Sequence, residues 1–403
     1  MAARDEADPA TFETVDWDDI EPRRLPSGHD LLVAGGFLLV GGLFAYDHLF
    51  GPTRGDLVNV GVPGGRIRWD PAGFDWLVLL SLCILFAVVV VPLATDRALA
   101  RRYWRGLRRD RFALAALVFL GVVTALAAVG PLLFGRPHID PAVRNNPPLF
   151  MTVDAAFVGE CLGATTGPAT DPICHGSPRY PLGTDNLGRS MFRRLVMGAR
   201  VSLLMALVAS MLMVPVAAVV GTVAGYLGGR VDSLLMRYVD VQQTVPAVLV
   251  YLILVYLFTR SLFLVVLVFG LLSWGGLARM VRSAVLQRKQ EPYVAAARAA
   301  GARPLAVVRR HLLPNAANTV VTAVTIQIPT LILAEAALAY LGIGERYSRS
   351  FGQLMNVGLT ELDFARVPWI ATEAAVALAL IALAFNLLGD ALRDAMDPRG
   401  DRR

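Results

Sequence analysis

Long apolar runs, separated by shorter polar connections in which arginine predominates, set the pattern of this chain. Lipid offers backbone N–H and C=O groups no partners, so a helix crossing a hydrocarbon core of about 30 Å needs about 20 apolar residues. Eight stretches meet that length: roughly 30–50, 74–95, 112–134, 199–226, 236–258, 261–283, 314–343 and 367–389. Some exceed the minimum and are expected to tilt or to emerge from the bilayer. Pro215, Gly221, Gly225, Pro246 and Pro329 fall inside them, which is tolerable where neighbouring helices satisfy the freed backbone groups. The pattern predicts an all-α integral membrane protein.

Composition strengthens this picture. The 403 residues are 55% hydrophobic and 17% charged, with a mean hydropathy of +0.54, too apolar for a soluble enzyme of that length. The net charge of +6 does not point to nucleic acid, because the arginines sit beside apolar spans, where juxtamembrane charge accounts for them. The 96–111 connection carries Arg97, Arg101, Arg102, Arg105, Arg108, Arg109 and Arg111. The 284–313 connection carries Arg288, Lys289, Arg298, Arg303, Arg309 and Arg310. With eight spans both connections fall on one side, cytoplasmic by the positive-inside rule, and both termini lie there too. Arg189, Arg193, Arg194 and Arg200 then fall outside, against the rule. An interfacial amphipathic helix with Met191, Phe192, Leu195 and Val196 facing lipid accommodates them. Residues 1–28 are acidic where a cleaved signal would be basic, and read as a disordered cytoplasmic tail.

Chemistry is excluded more readily than assigned. Lys289 is the only lysine, and Leu286-Gln287-Arg288-Lys289-Gln290 lacks the Gly-rich turn of a P-loop, so the chain is expected to have no ATPase site of its own. With five histidines and no Ser-His-Asp or Cys-His constellation, hydrolytic catalysis has no support. Cys83 lies in an apolar span and reads as packing. Cys161 and Cys174 fall in the long outward segment, where oxidation is permitted. A disulfide between them would contribute on the order of 3 kcal/mol; two free thiols are the alternative. Together with His175 they lack a fourth ligand, so no metal site is expected. Glu335 and Glu373 are acids within apolar spans. They read equally as water-facing residues near the outer end or as ligands along a solute pathway.

The most informative segment follows the sixth span: Glu291-Pro292-Tyr293-Val294-Ala295-Ala296-Ala297-Arg298-Ala299-Ala300-Gly301, closing at His311-Leu312-Leu313-Pro314-Asn315. Proline at a first helical position before an alanine run predicts a short helix that Gly301 and Pro304 terminate. Helical spacing puts Tyr293, Ala296, Ala297 and Gly301 on one face. Small residues around one aromatic anchor make a face able to approach a partner's groove closely.

This segment resembles the EAA loop of binding-protein-dependent ABC importers: Glu-Ala-Ala, three residues, Gly, nine residues, then Ile-x-Leu-Pro. Ala296, Ala297, Gly301, Leu313 and Pro314 stand at matching spacing, while Ala295 replaces the motif's Glu and His311 its Ile. Arg310-His311 and Leu313-Pro314-Asn315 fit the variant of the peptide-permease branch. Three further segments resemble that branch: Gly183-Thr184-Asp185-Asn186-Leu187-Gly188-Arg189 with Gly198-Ala199-Arg200; Ala334–Gly344; and Asn386–Asp390 with Leu392-Arg393-Asp394 and Asp397-Pro398-Arg399.

The resemblance implies a type I ABC importer transmembrane domain, with a six-helix core and two additional amino-terminal helices. Residues 29–111 would hold the additional pair and a basic loop, 112–134 the first core helix, 135–182 an extracytoplasmic insertion, and 183–399 the rest of the core. It implies as partners a second, similar permease subunit, two cytoplasmic ATPases that bind ATP and Mg, and an extracytoplasmic substrate-binding protein. The chain itself would bind no cofactor and would carry peptides or related small solutes across the cell membrane. Coupling to the ATPases would fall to Glu291, Tyr293, Ala296, Ala297, Arg298, Gly301, His311, Pro314 and Asn315. The rival reading, an ion-coupled secondary transporter, calls for charged relays deep in several helices, and the spans are nearly empty of them at mid-depth.

Overall fold

The computed structural model describes residues 28–396 apart from 55–57, 63, 64, 70–72, 96, 136, 346–348, 362 and 363. The expected tail up to residue 27, and the carboxyl-terminal Asp397, Pro398 and Arg399, lie outside the described residues. Helix α1 (Gly28–Arg54) leads through a hairpin of β1 (Val58–Val62) and β2 (Gly65–Trp69) into α2 (Gly73–Leu85). A π-turn at Phe86–Val90 carries α2 into α3 (Val91–Thr95) without a break, so the expected 74–95 span is helical throughout but not one regular helix. Helices α4 (Arg97–Arg109) and α5 (Arg111–Leu133) follow, then an outer lobe with strands β3 (Thr152–Asp154), β4 (Thr165–Thr166) and β5 (Ile173–His175). The remainder is helical: α6 (Met191–Leu227), α7 (Gly229–Thr244), α8 (Ala247–Leu257), α9 (Leu262–Leu272), α10 (Gly275–Lys289), α11 (Pro292–Ala299), α12 (Pro304–Val307), α13 (Leu313–Tyr340), α14 (Phe351–Asn356) and α15 (Trp369–Met396).

Among the described residues six helical stretches are long and apolar enough to cross a membrane: Val33–Phe50, Arg111–Leu133, Met191–Leu227, Leu262–Lys289, Thr319–Tyr340 and Trp369–Ala395. The pair α7–α8, bent by 65° where Pro246 interrupts it, makes a seventh. Helix α1 touches the bundle through α2, with Phe44 edge-on to Trp76 at 5.4 Å, and α2 in turn packs Phe74, Leu77 and Val78 against the inner core. The two additional helices therefore form an outer layer.

The inner core forms where α6 crosses α10. Gly221 and Gly225 are four residues apart on α6, and a Cβ on Gly221 would fall 2.5 Å from the Ala278 carbonyl oxygen. Glycine's missing side chain lets the backbones meet and buries Ala278, Val281 and Val285. A second cluster gathers Met191, Ile332, Phe351, Trp369 and Ile370 beneath the outer lobe.

Four departures from expectation have physical causes. The helix expected to begin at 199 begins at Met191, because Arg189 and Arg194 are paired with Asp185 instead of lying in lipid headgroups. Asp185, 1% exposed, accepts from the backbone N–H groups of Leu187 and Arg189 and from Arg189 Nε at 2.7 Å, with Arg194 Nε at 3.7 Å. Arg194 is only 3% exposed and Met191 is fully buried, so the interfacial amphipathic helix expected at Arg189–Arg200 is not formed. The basic 96–111 connection is largely α4, whose Leu107 packs with Ala113 and Ala391 and whose Gly106 abuts Ala395. Between the last two spans lies α14, not expected at all. Ser350 caps it, and Gly352 lies so close to the Ala336 carbonyl that a Cβ would sit 2.1 Å away.

The outer lobe is ordered around Asn146. Its amide donates to Val143 O and Glu160 O, each at 3.0 Å, and its Oδ1 accepts from Leu162 N. Thr184 Oγ1 accepts from Asn146 N at 2.8 Å and donates to Val143 O. The indole of Trp369, at the start of α15, donates to Thr184 O at 3.0 Å and fastens the lobe to the last helix.

Candidate coupling surface

Helix α11 is built as its residues demand. Glu291 occupies the N-cap in extended conformation, Pro292 takes the first helical position, and alanines propagate the helix. Gly301 ends it at φ +83°: its N–H donates to Arg298 O at 3.0 Å, and the N–H of Ala302 to Ala297 O at 3.1 Å. This paired 5→2 and 6→1 arrangement needs a left-handed residue, which glycine supplies without Cβ strain.

The eight residues of α11 have two unlike faces. Val294 is fully buried in the inner core, a single apolar root. Tyr293, Ala295, Ala296, Arg298 and Ala299 are exposed and Ala297 is half-buried, so the face read from helical spacing stands open. Beyond it Leu305, on α12, is 77% exposed.

The basic residues around α11 do more than mark a side of the membrane. Lys289 Nζ donates to the Tyr226 carbonyl at 2.7 Å, and Arg298 Cζ lies 5.2 Å from the centre of the Tyr226 ring. Tyr226 is next to the last residue of α6, so α11 is tied to the end of the longest helix. Nearby, Arg282 of α10 makes a two-pronged ion pair with Asp232 of α7, both contacts at 2.5 Å. Polar contacts thus join α11 and α10 to the end of α6, and α10 to α7, beside the apolar packing of Val294.

His311 lies in a π-turn and Pro314 and Asn315 in the first turn of α13, placing all three on the stretch that runs back into the bundle. Their side chains are outside the described residues. Glu335 and Glu373 are far from α11 along the chain and do not join it. Glu335 is 3% exposed and hydrogen-bonds Ser350, the cap of α14, while its Oε2 lacks a hydrogen-bond partner. Glu373 is partly buried, with Oε2 lacking a hydrogen-bond partner. In the outer lobe Cys161 and Cys174 are joined as a disulfide, S–S 2.00 Å, with Cys174 on the central strand of β3-β5-β4. Among the described residues no group of three or more His, Cys, Asp or Glu gathers as metal ligands would.

Sequence reasoning gave Tyr226 and Asp232 no role and took Asp185 only as part of a family-like segment, not as an ion-pair partner. Each pairs with a residue distant in sequence or across a turn, and a single tyrosine or aspartate gives no periodic signal.

A bundle of membrane-spanning helices with a short capped helix between two of them is the architecture of a multi-pass membrane protein. Residues 217–402 match the family described as binding-protein-dependent transport system inner membrane component, and residues 98–148 match the N-terminal TM domain of oligopeptide transport permease C. The dipeptide transport system permease protein DppC of Lactococcus lactis subsp. cremoris is 30% identical over 308 residues, 73% of this chain and 89% of the relative. Its namesake in Bacillus subtilis is 33% identical over 297 residues, 73% of this chain and 84% of the relative. The oligopeptide transport system permease protein OppC of Bacillus subtilis is 35% identical over 218 residues, 54% and 71% respectively. The chain belongs to the binding-protein-dependent transport system inner membrane components: it is a multi-pass permease subunit of an ABC importer.

Proposed function

We propose that this permease subunit carries peptides or related small solutes inward across the cell membrane, receiving them from an extracytoplasmic binding protein. It works beside a second, similar permease subunit and takes its energy from two ATPases that bind ATP and Mg on the cytoplasmic side. With α2 and α3 together crossing as an eighth span, both described ends of the chain would face the cytoplasm. The observation that carries this reading is α11, rooted by Val294, with Tyr293, Ala296 and Gly301 presented outward and Arg298 held against Tyr226. A short helix pressed into a moving motor transmits force only if its other side is anchored to the helices that must rock. The chain's only lysine supports hydrolysis by partners, since Lys289 is engaged with a helix-end carbonyl and not with a phosphate-binding turn. The peptide cargo is supported by the names of the relatives.

The test is uptake of labelled di- and oligopeptides into proteoliposomes holding the complex assembled with its ATPases and binding protein. ATP-dependent accumulation that resists ionophores is expected. Uptake driven by an ion gradient in the absence of ATPases would sink the reading.

A further inference from the structure

One face of the bundle is wrong for lipid. Along α5 and α15 exposed apolar side chains recur, among them Val118, Val122, Val376, Leu380 and Leu383, interrupted within the spans by Thr124, Thr372 and Asn386. On α10 polar side chains are exposed at successive turns, Arg279, Ser283 and Gln287, with Met280 exposed beside the first. The opposite face of α10, bearing Ala278, Val281 and Val285, is buried against α6, so the polar stripe forms the floor of a trough between α7 and α13. A groove of about 400 Å³ opens there, lined on α10 by Arg279, Met280, Ser283, Ala284 and Gln287 and on α13 by Thr319.

Arg279 Nη2 lies 2.5 Å from Asp240 Oδ1 of α7, and the two side chains remain 47% and 60% exposed. Both residues belong to helices that pass as membrane-crossing, and Asp240 stands shortly before the 65° bend. An ion pair at such a position that is open to its surroundings faces water or another protein, because acyl chains offer charge no compensation. Interrupted helices lie alongside. Gln242 of α7 donates to Leu272 O at 2.6 Å, at the junction of α9 and α10, and such breaks in spanning helices are tolerated where they border protein or a water-filled passage.

We propose that this trough is the chain's wall of the solute pathway, and that Arg279 and Asp240 engage the carboxylate and ammonium ends of a zwitterionic peptide. This rests on the function proposed above and assigns it a site. A guanidinium fork matches a carboxylate in two-pronged geometry, and the neighbouring carboxylate accepts from an ammonium. Each charge exchanges its protein partner for one on the solute and regains it as the solute leaves. Bonds made and bonds broken therefore nearly balance, which suits a site that must also release.

The test uses the assembled complex in nanodiscs and proteoliposomes, with Cys83→Ser removing the free thiol and the Cys161–Cys174 disulfide retained. Ser283→Cys should react with a membrane-impermeant thiosulfonate about tenfold faster than Leu383→Cys, since the thiolate forms in water, and saturating dipeptide should slow it. Arg279→Gln should lower ATP-driven dipeptide uptake about tenfold while the ATPases still co-purify. The exchange Arg279→Asp with Asp240→Arg should leave uptake low. Restoration of uptake by that exchange would reduce the pair to a structural tie and overturn the proposal. Labelling of Ser283→Cys no faster than Leu383→Cys, the result if lipid or the second subunit covers the face, would overturn it as well. A wild-type complex that takes up no peptide with ATP would instead overturn the proposed function, while the labelling would still decide whether the trough holds water.

Discussion

Arg298, on the short helix between two spans, holds its guanidinium 5.2 Å from the ring centre of Tyr226 at the end of α6. The same tyrosine's carbonyl accepts from Lys289. One residue thus engages a cation within α11 and another just before it, and the contact lies where a motor's displacement would first reach the bundle.

Replacing the Tyr226 ring should loosen that link without unfolding the bundle. A cation over an aromatic face is worth about 0.5–1 kcal/mol at exposed sites, so Tyr226→Leu should lower ATP-driven uptake severalfold while ATP hydrolysis continues. Tyr226→Phe keeps the ring face and the backbone carbonyl, and should behave as wild type. The ratio of solute moved to ATP hydrolysed is the measurement.

Gly301 tests the cap by conformation and not by bulk. No atom lies within 4 Å of where its Cβ would be, yet its φ of +83° is strained for most side chains. Gly301→Val should cost about 1–2 kcal/mol of local order and weaken co-purification of the ATPases. Gly301→Asn, which adopts left-handed geometry more readily, should retain most of it. Gly301→Asp adds charge to the docking face and should abolish co-purification while leaving the subunit in the membrane.

Asp185 is the counter-charge for two arginines, one of them buried. Asp185→Asn leaves Arg194 unpaired and should destabilise the subunit by about 3–5 kcal/mol, the cost typical of a buried charge stripped of its partner. Thermal unfolding in detergent would register the loss. Adding Arg194→Met to the same chain should recover part of it, since the buried position then holds an apolar side chain.

The Cys161–Cys174 bridge closes a short loop of sequence separation 13 and should act locally. Its removal by Cys161→Ser with Cys174→Ser would withdraw on the order of 3 kcal/mol from the lobe. Limited proteolysis should then cut between 155 and 172, with the melting of the helical bundle little changed. Alkylation of both thiols without reductant in the wild-type protein would contradict the bridge.

The sequence yielded the spans because apolar length is a local property, and it yielded α11 because Pro292 and Gly301 punctuate an alanine run. It misjudged whatever depended on pairing at a distance. Arg194 looks like a headgroup residue until Asp185 is placed beside it, and α6 consequently starts eight residues before the expected 199. Helix α14 is too short to announce itself, and it exists because Gly352 lets it lie flush on α13 and Ser350 caps it. The Asp240–Arg279 pair was invisible for the same reason: 39 residues separate its members.

The indole hydrogen bond from Trp369 to Thr184 has a mechanical corollary. The outer lobe is no loose flap: twisting it turns the root of the final helix, as a key turns a shaft. A docking protein that grips this lobe therefore acquires leverage over the far end of the molecule, so a message could travel inward along α15 as well as outward from the motor side.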